Sequence, residues 1–175
     1  MPAVVHDALA LFFLWLLAGA AVHKLRHHAY YTGIVRAWLP AGEAMAPMLV
    51  RLIAAVEAGL AAGLMIPPAR TAAFLGTALL LAVYALAMLG RLAVGQGDLR
   101  CGCAGPASDL RISPALVARN SLLTLLALAG GMPSTGIMTA ETAAVAVIMG
   151  LFLIVMYLCS EQLLRNAQQL RLLRS

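Results

Sequence analysis

The sequence predicts an all-α protein, an integral membrane helix bundle with a four-helix core plus a fifth transmembrane helix. Three observations carry that expectation. Of the 175 residues, 63% are hydrophobic and only 11% charged, against about 25% charged in a soluble domain. Mean hydropathy is +0.93, and the apolar residues fall in five long runs parted by short polar connections. Alanine, leucine, glycine and methionine are plentiful while aromatics make up 6%, which suits helices that approach closely through small residues in lipid. At this length the chain reads as one membrane domain, 1–175, without internal repeats.

Spanning the hydrocarbon takes about 20 apolar residues as helix. The candidate spans are 8–22, 45–66, 71–89, 114–129 and 137–159, so the core covers about 8–130, the extra helix 137–159 and a polar tail 160–175. The leader MPAVVHD has no positive region and no clear small-residue cleavage site follows, so the first span reads as retained rather than as a signal peptide. Pro67 and Pro68 end the second span because neither can donate to a helix ladder. Ser113 followed by Pro114 reads as an N-cap and first helical position. Gly130, Gly131 and Pro133 part the fourth span from the fifth. Between the first two spans, 23–42 sets Tyr30, Tyr31 and Trp38 among basic residues, the composition of a segment lying in the headgroup region. The tail places leucines at regular intervals among polar residues and reads as a helix leaving the bilayer.

The net charge of +5 does not indicate nucleic-acid binding, because the cations are scattered between spans, where they set orientation. With five spans, Lys24, Arg26, Arg36, Arg91, Arg100, Arg111, Arg165, Arg171 and Arg174 share one side and Arg70 stands alone on the other. The positive-inside rule assigns the richer side to the cytoplasm. The chain is then a multi-pass protein of a bacterial inner membrane, with the 90–112 connection at the cytoplasmic face.

That connection holds Cys101-Gly102-Cys103. Two thiols about one glycine can close a small strained disulfide, and glycine best supplies the backbone this requires. Strain makes such a bond labile and suited to exchange, whereas so short a loop removes almost no chain entropy and makes a poor staple. Arg100 and the helix start near Ser113 both favour a thiolate. The same pair could hold a soft two-coordinate ion, though tetrahedral zinc would need two further ligands. His23 and His27, one turn apart, lie in the other connection on that side; with His28 they also read as plain interfacial side chains. Cys159 reads as a packing residue.

Charges inside spans are the second signal. Glu57 lies near the middle of the second span, and Arg119 and Asn120 lie about a turn and a half into the fourth. Ionisable groups at membrane depth cost at least about 2.5–3.5 kcal/mol on insertion scales and normally pair. A Glu57–Arg119 pair bridged by Asn120 is the expectation. It reads equally as a structural pair fixing helix register and as a polar element beneath the cysteines that tunes the thiols, relays protons or holds a quinone headgroup.

These residues resemble a known family, the MauE-type proteins of methylamine utilisation within the DoxX-like group of small membrane proteins. The matching features are HKL (His23 to Leu25), Leu39-Pro40, E-x-G-L (Glu57 to Leu60) and CGCAGP followed by the run Ile112 to Asn120, over about 10–130. The resemblance implies a four-helix core acting with a thioredoxin-like partner of the MauD type in maturing a periplasmic, disulfide-rich dehydrogenase subunit. By that resemblance Cys101 and Cys103 are the redox pair and Glu57, Arg119 and Asn120 support them. In a redox reading of the chain, electrons pass to or from a quinone or a second thiol carrier near Glu57 and Arg119. A periplasmic role implies thiols on the exported side, opposite to the side the charge count assigns. A soft-metal carrier and a non-catalytic assembly factor are the alternative functions.

Overall fold

The computed structural model describes residues 1–102, 110–135 and 139–172. Among them are six α-helices: α1 (Ala3–Arg26), α2 (His28–Trp38), α3 (Ala46–Met65), α4 (Arg70–Ala93), α5 (Pro114–Gly130) and α6 (Ala140–Leu172). Short 3₁₀ turns at Pro40–Met45 and Pro67–Ala69 connect α2 to α3 and α3 to α4. By length and composition α1, α3, α4 and α6 can cross a membrane, while α5 is apolar but shorter, at 17 residues. The protein is an all-α, multi-pass membrane bundle.

The breaks fall where the backbone chemistry demands. α3 stops at Met65, immediately before the two prolines, and Ile66 turns extended. Pro114 opens α5 behind an extended Ser113, although the serine side chain makes no capping hydrogen bond. α6 runs unbroken through the segment read as a tail, as expected of a helix leaving the bilayer. Its 33 residues span about 50 Å at 1.5 Å per residue, more than the ~30 Å hydrocarbon. No glycine or proline interrupts 151–172, so nothing stops the helix at the membrane surface.

α1 packs against α3 and α6, α4 against α5, and α3 against α4. The core they enclose joins Phe12, Phe13 and Leu17 of α1 to Leu64 of α3, Phe74 and Leu81 of α4 and Leu123 of α5. Phe13 meets Phe74 edge to face with centroids 6.2 Å apart, the arrangement that ring quadrupoles favour. Large apolar side chains such as Leu79, Leu86, Leu125 and Ile148 point outward, as a lipid-facing surface requires.

The two ends of the bundle differ. At one, the N-terminal amine donates to the Pro133 carbonyl at 2.9 Å and Arg70 pairs with Asp7 across α4 and α1. At the other, α2 and the 94–113 connection meet, and Gln168 of α6 bonds both backbone groups of Arg111. The helical segment α2 therefore shares an end with Cys101.

Gly130 makes a close approach that no other residue could: a Cβ there would collide with the Phe74 ring. Gly59, by contrast, faces open space. Gly130→Ala is expected to lower unfolding stability in detergent by roughly 1–3 kcal/mol, the cost of overpacking a filled core. Gly59→Ala should be neutral or slightly stabilising, from the better helix propensity of alanine. Equal effects of the two substitutions, followed by denaturant titration, would contradict this packing.

Candidate functional site

Cys101 stands on a framed segment. Its backbone N–H donates to the Leu110 carbonyl and that of Ile112 to the Leu99 carbonyl, both at 2.9 Å, making a short antiparallel bridge between Arg100 and Arg111. The Trp38 indole N–H of α2 donates to the Arg100 carbonyl at 3.0 Å, and Arg91 of α4 donates to the Trp38 carbonyl. Arg111 also pairs with Asp98 at 2.8 Å. Gly102 follows at φ +68°, with the place of a Cβ 3.2 Å from Ile34. Any other residue there would be strained in backbone and crowded against α2. Cys103 lies outside the described residues. Cys101 is half-buried, and its Sγ lies 3.6 Å from Met88 Sδ on α4.

Cys101 and Gly102 form part of the wall of a cavity of about 590 Å³ bounded by α2, α3 and α4. Ile34 and Trp38 of α2, Val50 and Ile53 of α3 and Val83 and Met88 of α4 give it mostly apolar walls. Lys24 and Tyr84 supply polar groups.

Behind those two residues sits the most buried charge cluster of the bundle. Lys24 Nζ lies 2.7 and 2.9 Å from the two carboxylate oxygens of Glu57, and the Tyr84 hydroxyl donates to Glu57 Oε1 at 3.0 Å. Lys24 is 6% exposed and Glu57 1%. The ammonium also stands 5.5 Å from the centre of the Tyr31 ring. This corrects the expected Glu57–Arg119 pair: Lys24, read as an orienting charge of the first connection, is the partner. Side chains on a helix lean toward its N-terminus, so a lysine near the end of α1 points back into the bundle as readily as out to water. The signal was present in the spacing, because Phe13, Leu17, Ala21 and Lys24 occupy one buried face of α1. On α3 the face Val50, Ala54, Glu57, Ala61, Leu64 does the same.

Arg119 lies elsewhere, its guanidinium 5.0 Å from the centre of the Tyr157 ring of α6. Its Nε and Nη1 are buried without a hydrogen-bond partner, as is Asn120 Nδ2. Asn120 lies on the buried face of α5 with Leu116, Leu123 and Ala127, so it forms no bridge between Arg119 and Glu57. His23 and His27 stack with centroids 6.4 Å apart on the exposed side of α1. Cys159 is exposed on α6, rather than packed inside. Among the described residues no group of three or more His, Cys, Asp or Glu side chains is placed to hold a metal ion.

Comparison with known proteins places this arrangement. Residues 2–133 match the family described as methylamine utilisation protein MauE. The chain belongs to the MauE family. It is 31% identical over 158 residues to the methylamine utilization protein MauE of Paracoccus denitrificans, covering 89% of this chain and 85% of that protein. The MauE of Paracoccus versutus is 33% identical over 71% of this chain and 67% of its own length. That of Methylorubrum extorquens is 32% identical over 66% and 62%. No solved structure matches. The MauE match takes in Lys24, Glu57, Tyr84, Cys101, Arg119 and Asn120, whereas α6 lies beyond it.

In this MauE-family protein, removing one member of the buried pair leaves an uncompensated charge, which costs about 3–5 kcal/mol. Lys24→Met and Glu57→Met are each expected to lower the unfolding midpoint in detergent. The double variant Lys24→Met, Glu57→Met should recover most of the loss, because no lone charge then remains buried. Additive losses in the double variant would contradict the pairing.

Proposed function

We propose that this chain is a membrane thiol–disulfide redox protein of methylamine utilisation, in a bacterial inner membrane. In this reading Cys101 and Cys103 exchange with a thioredoxin-like partner during maturation of an exported protein such as a methylamine dehydrogenase subunit. The observation that carries it is Cys101 itself, held by a paired backbone at the wall of a cavity and followed by a glycine in the left-handed conformation. Membership of the MauE family supports the methylamine context.

The exchange balances as follows. With the loop cysteines joined, a thiolate of the partner attacks one sulfur, forming a mixed disulfide and releasing the other loop thiolate. The second partner thiolate then attacks the partner's own sulfur in the mixed disulfide and expels the remaining loop thiolate. One S–S bond breaks in the loop and one forms in the partner, two electrons pass to the loop, and two protons end on its thiols. Glu57 acts through Lys24 and Tyr84, while Arg119 and Asn120 serve as positioning residues on α5.

The exchange is reversible, so the Cys101 thiolate also attacks the oxidised partner, and without Cys103 the mixed disulfide so formed cannot be resolved from the loop side. In cells making the dehydrogenase, Cys103→Ser is expected to accumulate a reductant-sensitive adduct of Cys101 with the partner. The Cys101→Ser, Cys103→Ser variant should form no adduct and fail to mature the dehydrogenase. Full maturation by that double variant would refute the redox reading in favour of an anchor. The 3.6 Å approach of Cys101 Sγ to Met88 Sδ favours a second reading, soft-metal binding, since thiolate and thioether both select soft ions. Metal-dependent growth of the double cysteine variant, with no adduct in Cys103→Ser, would select it. A maleimide that does not cross membranes, applied to spheroplasts, reads which compartment the loop faces.

A further inference from the structure

We infer that the part of α6 beyond the bilayer pairs with α6 of a second copy of this chain, as a short parallel coiled coil over Cys159 to Leu170. The pairing is independent of the thiol-exchange reading, since it uses neither loop cysteine.

About 20 helical residues cross the hydrocarbon, so α6, which starts at Ala140, leaves it near Cys159. Past that point polar residues take over, with Glu161, Gln162, Arg165, Asn166, Gln168 and Gln169. A leucine facing outward here meets water rather than lipid. Leu163 is nonetheless 69% exposed and Leu170 57%.

These leucines belong to a seam. Met156, Cys159, Leu163, Asn166 and Leu170 follow one another at alternating spacings of three and four residues, the a and d pattern of a two-stranded coil. All five are exposed. α6 packs on its own bundle through the opposite face, where Ile154, Tyr157 and Leu164 join the apolar clusters and Gln168 bonds Arg111. Ile154 and Leu163 are about two and a half turns apart, and so point in opposite directions.

Three features select a second copy as the cover. Copies inserted alike in one bilayer present parallel α6 helices at equal depth, so each seam residue meets its own counterpart. Asn166 carries both donors and an acceptor, so its amide can pair with the same amide across the axis, the device that fixes register in parallel dimers. The positions flanking the seam, Ser160, Gln162, Ala167 and Gln169, carry no charge, so identical strands meet without repulsion. Glu161 and Arg165 lie off the seam and approach each other along the helix at 3.7 Å. A helix lying on lipid headgroups would favour basic residues at those flanks. So short a coil is marginal alone in water, but here the helix is already propagated from the span, and confinement to the bilayer raises the effective concentration.

The chain has three cysteines, so Cys101→Ser, Cys103→Ser leaves Cys159 as the sole thiol. In proteoliposomes of that variant, copper phenanthroline, which oxidises two thiols to one disulfide, is expected to yield a covalent dimer. Adding Leu158→Cys and Cys159→Ser moves the thiol about 100° round the helix, away from the seam, and the yield should fall roughly fivefold. Counting photobleaching steps of singly labelled protein across dilutions in lipid reads the dimer without cross-linking. Leu163→Asp should raise the protein-to-lipid ratio at half-dimer about tenfold, because two carboxylates then face each other in an apolar seam. Leu163 is exposed in the single chain, so the unfolding midpoint in dilute detergent should not move. Equal cross-linking from positions 158 and 159 would overturn the pairing, since that is random collision. Dimers unaffected by Leu163→Asp would overturn it in favour of another face. Single photobleaching steps at every dilution would overturn it as well. An environment-sensitive dye on Leu163→Cys would then assign the seam to the bilayer surface if it reports lipid, and to a different protein if it reports water.

Discussion

The salt bridge between Lys24 and Glu57 is the contact on which the rest of this structure depends. Two charges in the interior of a bundle, away from water, are tolerated only together, and that condition fixes how α1 and α3 lie side by side. Tyr84 extends the condition to α4 by donating to the same carboxylate. Three helices are thus registered by one carboxylate at the depth where apolar packing alone would permit sliding. The cluster is at the same time the polar end of the cavity, since Lys24 and Tyr84 line it.

The loop above it is fastened in a complementary way. Trp38, Arg91 and the bridge between Arg100 and Arg111 hold the backbone at Arg100 and Arg111, and Gln168 ties Arg111 to α6. A thiol intended for exchange benefits from such fixing, because the attacking and leaving sulfurs must come into line. Helix α2 is the shared element: Tyr31 faces the ammonium, Trp38 holds the loop, and Ile34 crowds Gly102.

Much of this was legible in the residues. The membrane class and the breaks at Pro67 and Gly130 follow from backbone chemistry and apolar run length, which act locally. The partner of Glu57 was misread because charge near a span end was assigned to orientation, although Lys24 continues the buried spacing of α1. Arg119 was taken for the partner from depth alone, yet depth does not say which face of a helix a side chain occupies. The continuation of α6 through the polar segment was readable from the regular leucine spacing of the tail, because falling hydropathy marks the membrane surface and not the end of a helix. The position of Cys101 beside a cavity depends on three helices and could not be read from any one segment.

The most direct test of this account is a solid-state NMR measurement of the dipolar coupling between Lys24 Nζ and the Glu57 carboxyl carbon, in protein reconstituted into lipid. The account predicts a strong coupling, as required by contacts of 2.7 and 2.9 Å to the two oxygens, and none from Glu57 to the Arg119 guanidinium. A Lys24 ammonium in contact with water and lipid phosphate, with Glu57 coupled instead to Arg119, would contradict it.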